Sequence, residues 1–237
     1  MMTYIYSVVI PVKDEEENLE ELFLELHGVM EKIGKPWEAI FIDDGSSDNS
    51  LAILKNLATK YPHITLLVFD RNYGQSSAFA AGFAQALGEF VITLDADRQN
   101  DPVDIPTLIT TASHADLVAG WRIHRKDSLQ KKLISKISNK VRSFLLKDHM
   151  HDTGCSLKVF RKSALDKIKM YEGMHRFFPA LFLIEGFCVI EIPVSHRPRL
   201  KGKTKYHFFN RSIRPLLDLF ALFWMRKRHL NYKLKHD

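Results

Sequence analysis

The sequence predicts an α/β protein, a mainly parallel, Rossmann-like sheet flanked by helices, with an amphipathic helix near its C-terminal end. Two patterns point there. Short apolar runs rich in β-branched residues alternate with longer helical patterns over the first ninety or so residues, which is how strands joined by right-handed crossover helices read. Three of those runs stop on proline or on paired acids, so their ends should converge on one edge of a sheet. With 237 residues and 46% apolar content, the chain can bury a real core as one α/β domain with an appendage.

Tyr4 to Val12 (YIYSVVIPV) reads as a buried first strand that ends near Pro11, and the acidic Asp14 to Glu17 opens a helix. Leu19, Leu22, Phe23, Leu26, Val29, Met30 and Ile33 recur at helical spacing until Gly34 and Pro36 stop the pattern. Trp37 to Ile42 is the second strand, ending in Asp43-Asp44-Gly45-Ser46-Ser47-Asp48, where Ser47 or Asp48 caps a helix that runs to about Tyr61. Ile64 to Phe69 is the third strand. After the loop Asp70 to Gly74, Ala78 to Leu87 forms a small-residue helix that can pack close to the sheet. Phe90 to Leu94 is the fourth strand, and Asp101-Pro102 caps the next helix.

The end of that fourth strand carries the chemistry. Asp95 and Asp97 sit one residue apart beyond a strand terminus, where ligands of open parallel sheets bind. Oxygen ligands at this density suit Mg²⁺ or Mn²⁺, which take one or two carboxylates and leave the remaining positions to water and phosphate oxygens. The bland alternative is a loop that only caps the next helix. The Gly-rich dinucleotide fingerprint and the P-loop are both absent, which argues against a dehydrogenase or an ATPase and leaves phosphate to metal and basic side chains.

Charge is divided along the chain. Residues 1–120 hold 7 Lys+Arg against 19 Asp+Glu, a net of −12, whereas residues 121–237 hold 27 against 9, a net of +18. An acidic half attracts a cation and a basic half attracts anions: a nucleotide diphosphate, a phosphate-bearing acceptor, a membrane surface or nucleic acid. The two cysteines, Cys155 and Cys188, make neither a disulfide framework nor a zinc pattern, so a reducing cytoplasm is the expected compartment. Neither a secretory leader nor an apolar stretch long enough to span a bilayer is read from the sequence.

In the second half, Arg122, Arg125, Lys131 and Lys132 accompany a helical pattern from Leu129 to Leu146, whose polar face includes Ser135 and Asn139. A solvated basic face is the plain alternative to a phosphate site. Asp152-Thr153-Gly154 comes after this helix. Leu157 to Phe160 and Cys188 to Val194 read as strands flanking a helix from Arg176 to about Ile184, and Glu185 rules against a membrane span there. The basic segment RPRLKGKTKY (Arg197 to Tyr206) has no periodicity. In the final helix Ile213, Leu216, Leu217, Phe220, Phe223 and Trp224 share one side, flanked by Arg211, Arg214 and Arg226-Lys227-Arg228. That composition fits a helix lying in a membrane interface; the alternative is a helix packed in the core or against a second copy of the chain in a homo-oligomer.

The motifs VVIPVKDEEENL, DDGSSDNS, DADRQNDP, VAGWR, DTGCSLKVFRK and HRPRLKGKTKY, taken in order from Val8 to Tyr206, resemble family 2 glycosyltransferases of GT-A fold, the polyprenyl or dolichol phosphate sugar branch above all. The resemblance implies a GT-A domain over residues 1–207, with a nucleotide-binding half at about 1–120, an acceptor half at about 121–207 and a basic membrane-interface tail over 208–237. It implies that Pro11 and Glu15 line the nucleotide pocket, that Asp43 reads base or ribose, and that Asp95, Asp97 and Gln99 hold the metal and the diphosphate. Arg122, Lys131 and Ser135 would hold phosphates of donor and acceptor, and Arg199, Lys203 and Lys205 would approach the diphosphate.

Arg98 departs from the family pattern, which is apolar at this position; an arginine here either contacts phosphate or points to solvent. Asp152 is expected in the active site, as general base or otherwise, since a lipid phosphate is already anionic and needs positioning more than a base; a turn or helix-terminus aspartate is the plain alternative. The implied reaction is metal-dependent, inverting transfer from a nucleotide diphosphate sugar to a polyprenyl phosphate at the cytoplasmic membrane face, with peripheral membrane contact. Two readings remain beside it: transfer to a saccharide or protein hydroxyl, and a non-catalytic nucleotide or nucleic-acid binder. No nucleic-acid module is recognisable, so nucleic acid is not an expected partner.

Overall fold

The structure is a computed structural model in which residues 4–123, 141–198 and 214–230 are described. Strands β1 (Tyr6–Val12), β2 (Trp37–Asp43), β3 (Ile64–Val68) and β4 (Phe90–Thr93) alternate with helices α1 (Leu19–Ile33), α2 (Ser50–Lys60) and α3 (Gln75–Gln85). β1 lies between β2 and β4, all parallel, with Val9 opposite both Ile40 and Thr93. Val8, Val9 and Ile10 are fully buried, as a strand covered by helices on both faces must be. α3 begins three residues earlier than the apolar pattern indicates. Gly74 (φ 87°) makes the turn, and the Asp44 carboxylate accepts the Tyr73 and Gly74 amides at 2.6 and 3.0 Å, which fixes the helix start.

The second half extends the same sheet. A 3₁₀ turn (Pro102–Asp104) leads into α4 (Ile105–Ala112), and the Asp101 side chain caps the turn by accepting the Val103 amide at 3.1 Å. β5 (Leu117–Arg122), β6 (Lys158–Arg161) and β7 (Val189–Val194) complete the strand order β3-β2-β1-β4-β6-β5-β7. β6 runs antiparallel to both β4 and β5, while β7 is parallel to β5. The two late strands lie close to their predicted spans. β5 contains the VAGWR motif, which sequence alone does not mark as a strand. Of the expected helix Leu129–Leu146, residues 141–146 are described and helical (α5). Two short helices, α6 (Lys162–Leu165) and α7 (Phe178–Ile184), come next, the latter preceded by a 3₁₀ turn (Met174–Phe177) where an earlier helix start was expected.

Two apolar layers cover the sheet. Phe23, Leu26 and Met30 of α1 pack with Val8, Ile10 and Phe41 on one face; Phe79 and Phe83 of α3 pack with Phe160, Phe178 and Phe182 on the other. Helix α8 (Arg214–Arg228) joins this second layer through Leu219 and Leu222, exposed by 6% and 0%. Arg226 Nη1 donates to the Leu145 carbonyl at 2.9 Å, and His229 lies 3.5 Å from Glu185. The apolar side chains of α8 thus divide: Phe223 packs toward the core, while Leu216, Leu217, Phe220 and Trp224 are 48%, 62%, 55% and 63% exposed. Among the described residues, no helix is long and apolar enough to cross a membrane.

A buried histidine adds an acid-sensitive point. The Ser76 hydroxyl accepts the Gly173 amide at 3.0 Å and lies 2.6 Å from His175 Nδ1. Burial, helped by the nearby charges of Arg176 and Lys158, lowers the His175 pKa to about 3. Above the ordinary histidine range the ring is neutral whether the chain is folded or not. Below it only the unfolded chain takes the proton, so stability should fall by about 1.4 kcal/mol per pH unit until the folded ring titrates at about 3. His175→Gln should flatten the melting-temperature profile across this acid window; an unchanged slope would refute the assignment.

Candidate active site

Because β2, β1 and β4 are adjacent and parallel, their carboxyl ends form a single rim. Pro11 is the penultimate residue of β1 and Asp43 the last of β2, while Asp95 and Asp97 lie just beyond β4. The acids predicted to meet therefore share one edge of the sheet. Asp43 is 1% exposed. Its Oδ2 accepts the Ser46 amide at 3.3 Å, whereas Oδ1 is buried with no hydrogen-bond partner among the described residues. A buried acceptor left open at the carboxyl end of a parallel sheet can take a hydrogen bond from a ligand or water. Glu15 sits in the turn before α1, where its amide donates to Ser50 Oγ at 2.9 Å and its carboxylate accepts from Asn18 Nδ2 at 2.8 Å.

Asp95 and Asp97 form the charged centre of the rim. Gln75 Nε2, at the start of α3, donates to Asp95 Oδ1 at 2.8 Å, and the Gln99 amide donates to Asp97 Oδ1 at 3.2 Å. Burial first, and the Asp97 charge second, push the Asp95 carboxyl up to about 6 against the pull of Ser156, Lys158 and Arg122. Two carboxylates sit side by side here, and burial and their mutual repulsion oppose ionisation of both at once. Among the described residues no cluster of three or more His, Cys, Asp or Glu side chains could hold a metal. A pair of carboxylates could hold a hard divalent ion that completes its coordination with water and phosphate oxygens.

The opposite wall comes from β5 and the segment before β6. Arg122, the last residue of β5, holds Asp152 in a two-pronged pair: Nε donates to Oδ2 at 2.6 Å and Nη2 to Oδ1 at 2.9 Å. Burial works against ionisation of Asp152, but the hydrogen bonds and charge of Arg122, with Lys158, outweigh it and hold the carboxyl below its usual range. A group so paired is a poor proton acceptor near neutrality. Gly120 lets this segment pass close to β5, since a Cβ there would lie 3.0 Å from both Cys155 Sγ and the Leu157 carbonyl oxygen.

Several residues of this wall escape sequence reasoning. Glu191 of β7 accepts the amides of His151 and Asp152 at 2.9 and 2.8 Å, which fixes the backbone that presents Asp152. Lys158 is 2% exposed beneath the site, its ammonium bonded to the Cys155 carbonyl, and burial lowers its pKa. Ser156 Oγ donates to Asn100 Oδ1 at 2.6 Å, and Thr93 Oγ1 to the Ser156 carbonyl at 2.6 Å, so the two walls are tied directly. The only sequence signal for Lys158 and Glu191 is a charge inside an otherwise apolar strand.

Arg98 corrects both expectations for it. Its side chain is only 12% exposed and pairs with Glu21 and Glu25 of α1, so it neither faces solvent nor reaches toward phosphate. The guanidinium meets these α1 carboxylates from a left-handed backbone (φ 58°) at Arg98. Lys131, Ser135, Arg199, Lys203 and Lys205 lie outside the described residues, as do Arg125, Lys132 and Lys201.

Comparison with known proteins gives matches of sequence and of fold. The model of "Glycosyl transferase family 2" matches residues 7–169. The chain is 43% identical over 217 residues to the undecaprenyl-phosphate 4-deoxy-4-formamido-L-arabinose transferase of Pectobacterium atrosepticum, covering 91% of this chain and 66% of that protein. The same identity and coverage hold for the transferase of that name from Pectobacterium carotovorum. The chain thus spans just under two thirds of these relatives. Among solved structures, glucosyl-3-phosphoglycerate synthase of Mycobacterium tuberculosis with Mn²⁺, UDP and phosphoglyceric acid superposes with a TM-score of 0.71 at 14% identity, over 96% of this chain and 80% of that one. Staphylococcus aureus TarS with UDP gives 0.60 at 16% identity, over 97% and 67%. At such identities the likeness is one of fold.

Proposed function

The chain belongs to glycosyl transferase family 2, and on that premise we propose that it transfers a sugar, with inversion, from a nucleoside diphosphate sugar to a polyprenyl phosphate. The observation that carries the choice of acceptor is the Arg122–Asp152 pair. A hydroxyl acceptor needs a base, and the acid nearest that role is bound to arginine with a lowered pKa. A phosphate acceptor arrives ionised and needs a cation instead. The names of the relatives at 43% identity agree with this acceptor.

In this reading Asp43, with Pro11 and Glu15, receives the nucleoside, and Asp95 and Asp97, with Gln99, hold Mg²⁺ or Mn²⁺. The cation, when bound, supplies charge neutralisation for the departing diphosphate. Arg122, kept in place by Asp152, faces the acceptor phosphate; Lys131, Ser135, Arg199, Lys203 and Lys205 are assigned to the phosphates as well. An acceptor phosphate oxygen bonds to the anomeric carbon from the side opposite the diphosphate. The carbon–oxygen bond to the diphosphate breaks, its electron pair leaves with that oxygen, and no proton has to move.

The decisive experiment offers a panel of nucleoside diphosphate sugars with Mn²⁺, measuring thermal shifts and then transfer to a short polyprenyl phosphate. Transfer to saccharide hydroxyls but not to the lipid phosphate would replace this reading with the hydroxyl-acceptor one.

The outer face of α8 is assigned to the membrane that carries the acceptor. Leu217, Phe220 and Trp224 stand exposed, with Lys227 and Arg228 exposed at the end of the same helix. Apolar and aromatic side chains beside cations suit an interface rich in anionic lipid. The protein should co-sediment with phosphatidylglycerol vesicles, and Phe220→Ser with Trp224→Ser should abolish this; undiminished sedimentation of the double variant would reject the surface. This reading places the enzyme at the cytoplasmic membrane face.

A further inference from the structure

We infer that Arg98 is a positioning residue for the Asp97 carboxylate, acting through Glu21 and Glu25 of α1; the inference rests on the reading of Asp95 and Asp97 as cation ligands. Arg98 is the residue directly after Asp97 and adopts φ 58°, a left-handed conformation unfavourable for a residue with a side chain. Something must hold it there. The guanidinium folds back onto α1, Nη1 on Glu21 and Nη2 on Glu25 Oε1, the latter at 2.7 Å.

The same carboxylate anchors the other end of the turn. Glu25 Oε2 accepts from Arg197 Nη1 at 2.7 Å, while Arg197 Nε and Nη2 lie 3.0 and 2.7 Å from Asp101 Oδ2. The Arg197 amide donates to the Gln99 carbonyl at 2.9 Å. Residues 97–101 are thus strapped at both ends to one glutamate of α1, with the Gln99 amide left to hold Asp97 Oδ1. An apolar residue at position 98 has no group with which to grip Glu21 and Glu25. A return of residue 98 to the right-handed region would rotate the peptide beyond Asp97 and break the Gln99–Asp97 bond. Arg98 therefore acts on the cation site without touching it.

The test separates the anchor from the backbone. Arg98→Gly keeps the left-handed conformation available without strain and removes only the guanidinium; Arg98→Ala removes the guanidinium and retains the strain; Arg98→Lys retains one cation. Mn²⁺ is titrated into each variant with and without UDP, and the free ion is read by electron paramagnetic resonance on protein shown to be folded by circular dichroism. The expected result is an Mn²⁺ affinity weakened about tenfold or more in Arg98→Gly and Arg98→Ala, with a smaller loss in Arg98→Lys. Arg98→Gly binding Mn²⁺ as tightly as the parent, while Asp97→Ala does not, would overturn the inference and leave the cation site standing. Equal Mn²⁺ binding by the parent and Asp97→Ala would overturn both. Should Arg98→Gly not fold, Glu21→Gln is the milder variant: a smaller loss in the same direction supports the inference, and parental affinity refutes it.

Discussion

Asp97→Ala is expected to lower transfer by about 10²- to 10³-fold or more, the scale on which removing a group that stabilises transition-state charge is felt, while the protein stays folded. The fold should survive because Asp97 lies beyond the end of β4, outside the sheet ladder. Asp95, held by Gln75, would be the one carboxylate left of the pair, too little to hold a hard cation against water. Initial rates at saturating Mn²⁺ with a circular dichroism melt check both halves of the claim. Near-parental turnover would remove the cation assignment, and loss of the fold would recast Asp97 as structural.

The second large effect belongs to the Arg122–Asp152 pair, and its two members should fail differently. Arg122→Ala removes the cation assigned to the acceptor phosphate and strands Asp152, whose side chain is 12% exposed. Activity should fall by about 10²- to 10³-fold, with a stability loss of about 3 kcal/mol from the unpaired buried charge. Asp152→Asn leaves Arg122 in place but loosely held, so its loss should stay within about 10²-fold. A near-complete loss in Asp152→Asn would make Asp152 a base and the acceptor a hydroxyl. Stability has its own pH signature. Because the Asp152 pKa is depressed on folding, its contribution is complete above the ordinary aspartate range and is lost as pH falls through the lowered folded value; Asp152→Asn should erase that acid-side decline.

The first half of the molecule was legible because each of its features is local. An apolar run, an acidic stop and a helical repeat succeed one another within a few residues, and parallel strands joined by helices leave little choice of arrangement. Asp43, Asp95 and Asp97 could be placed on one rim from that alone. The second half depends on pairings that sequence does not announce. β6 was visible as a strand, but its antiparallel insertion between β4 and β5 is decided by contacts between residues distant in the chain. Lys158 and Glu191 show in sequence only as charges among apolar strand residues, which does not reveal that Lys158 bonds the Cys155 carbonyl and Glu191 the Asp152 amide. Arg98 stands out in sequence as a departure from the family pattern, but its partners Glu21 and Glu25 read there as the ordinary solvated face of an amphipathic helix.

The reversed direction of β6 bears on how this architecture can change. β5 finishes at Arg122 and β6 begins at Lys158 as its antiparallel neighbour, so the chain leaves and re-enters the sheet at the same edge, in the manner of an extended hairpin. An excursion with both feet together can lengthen or shorten without disturbing the ladder, each doubling in length adding only about 0.6 kcal/mol of closure entropy. Stretches of chain there can be exchanged while the strands on either side keep their register. Changes of length confined to this one excursion would leave the order and pairing of β1 to β4 unaltered.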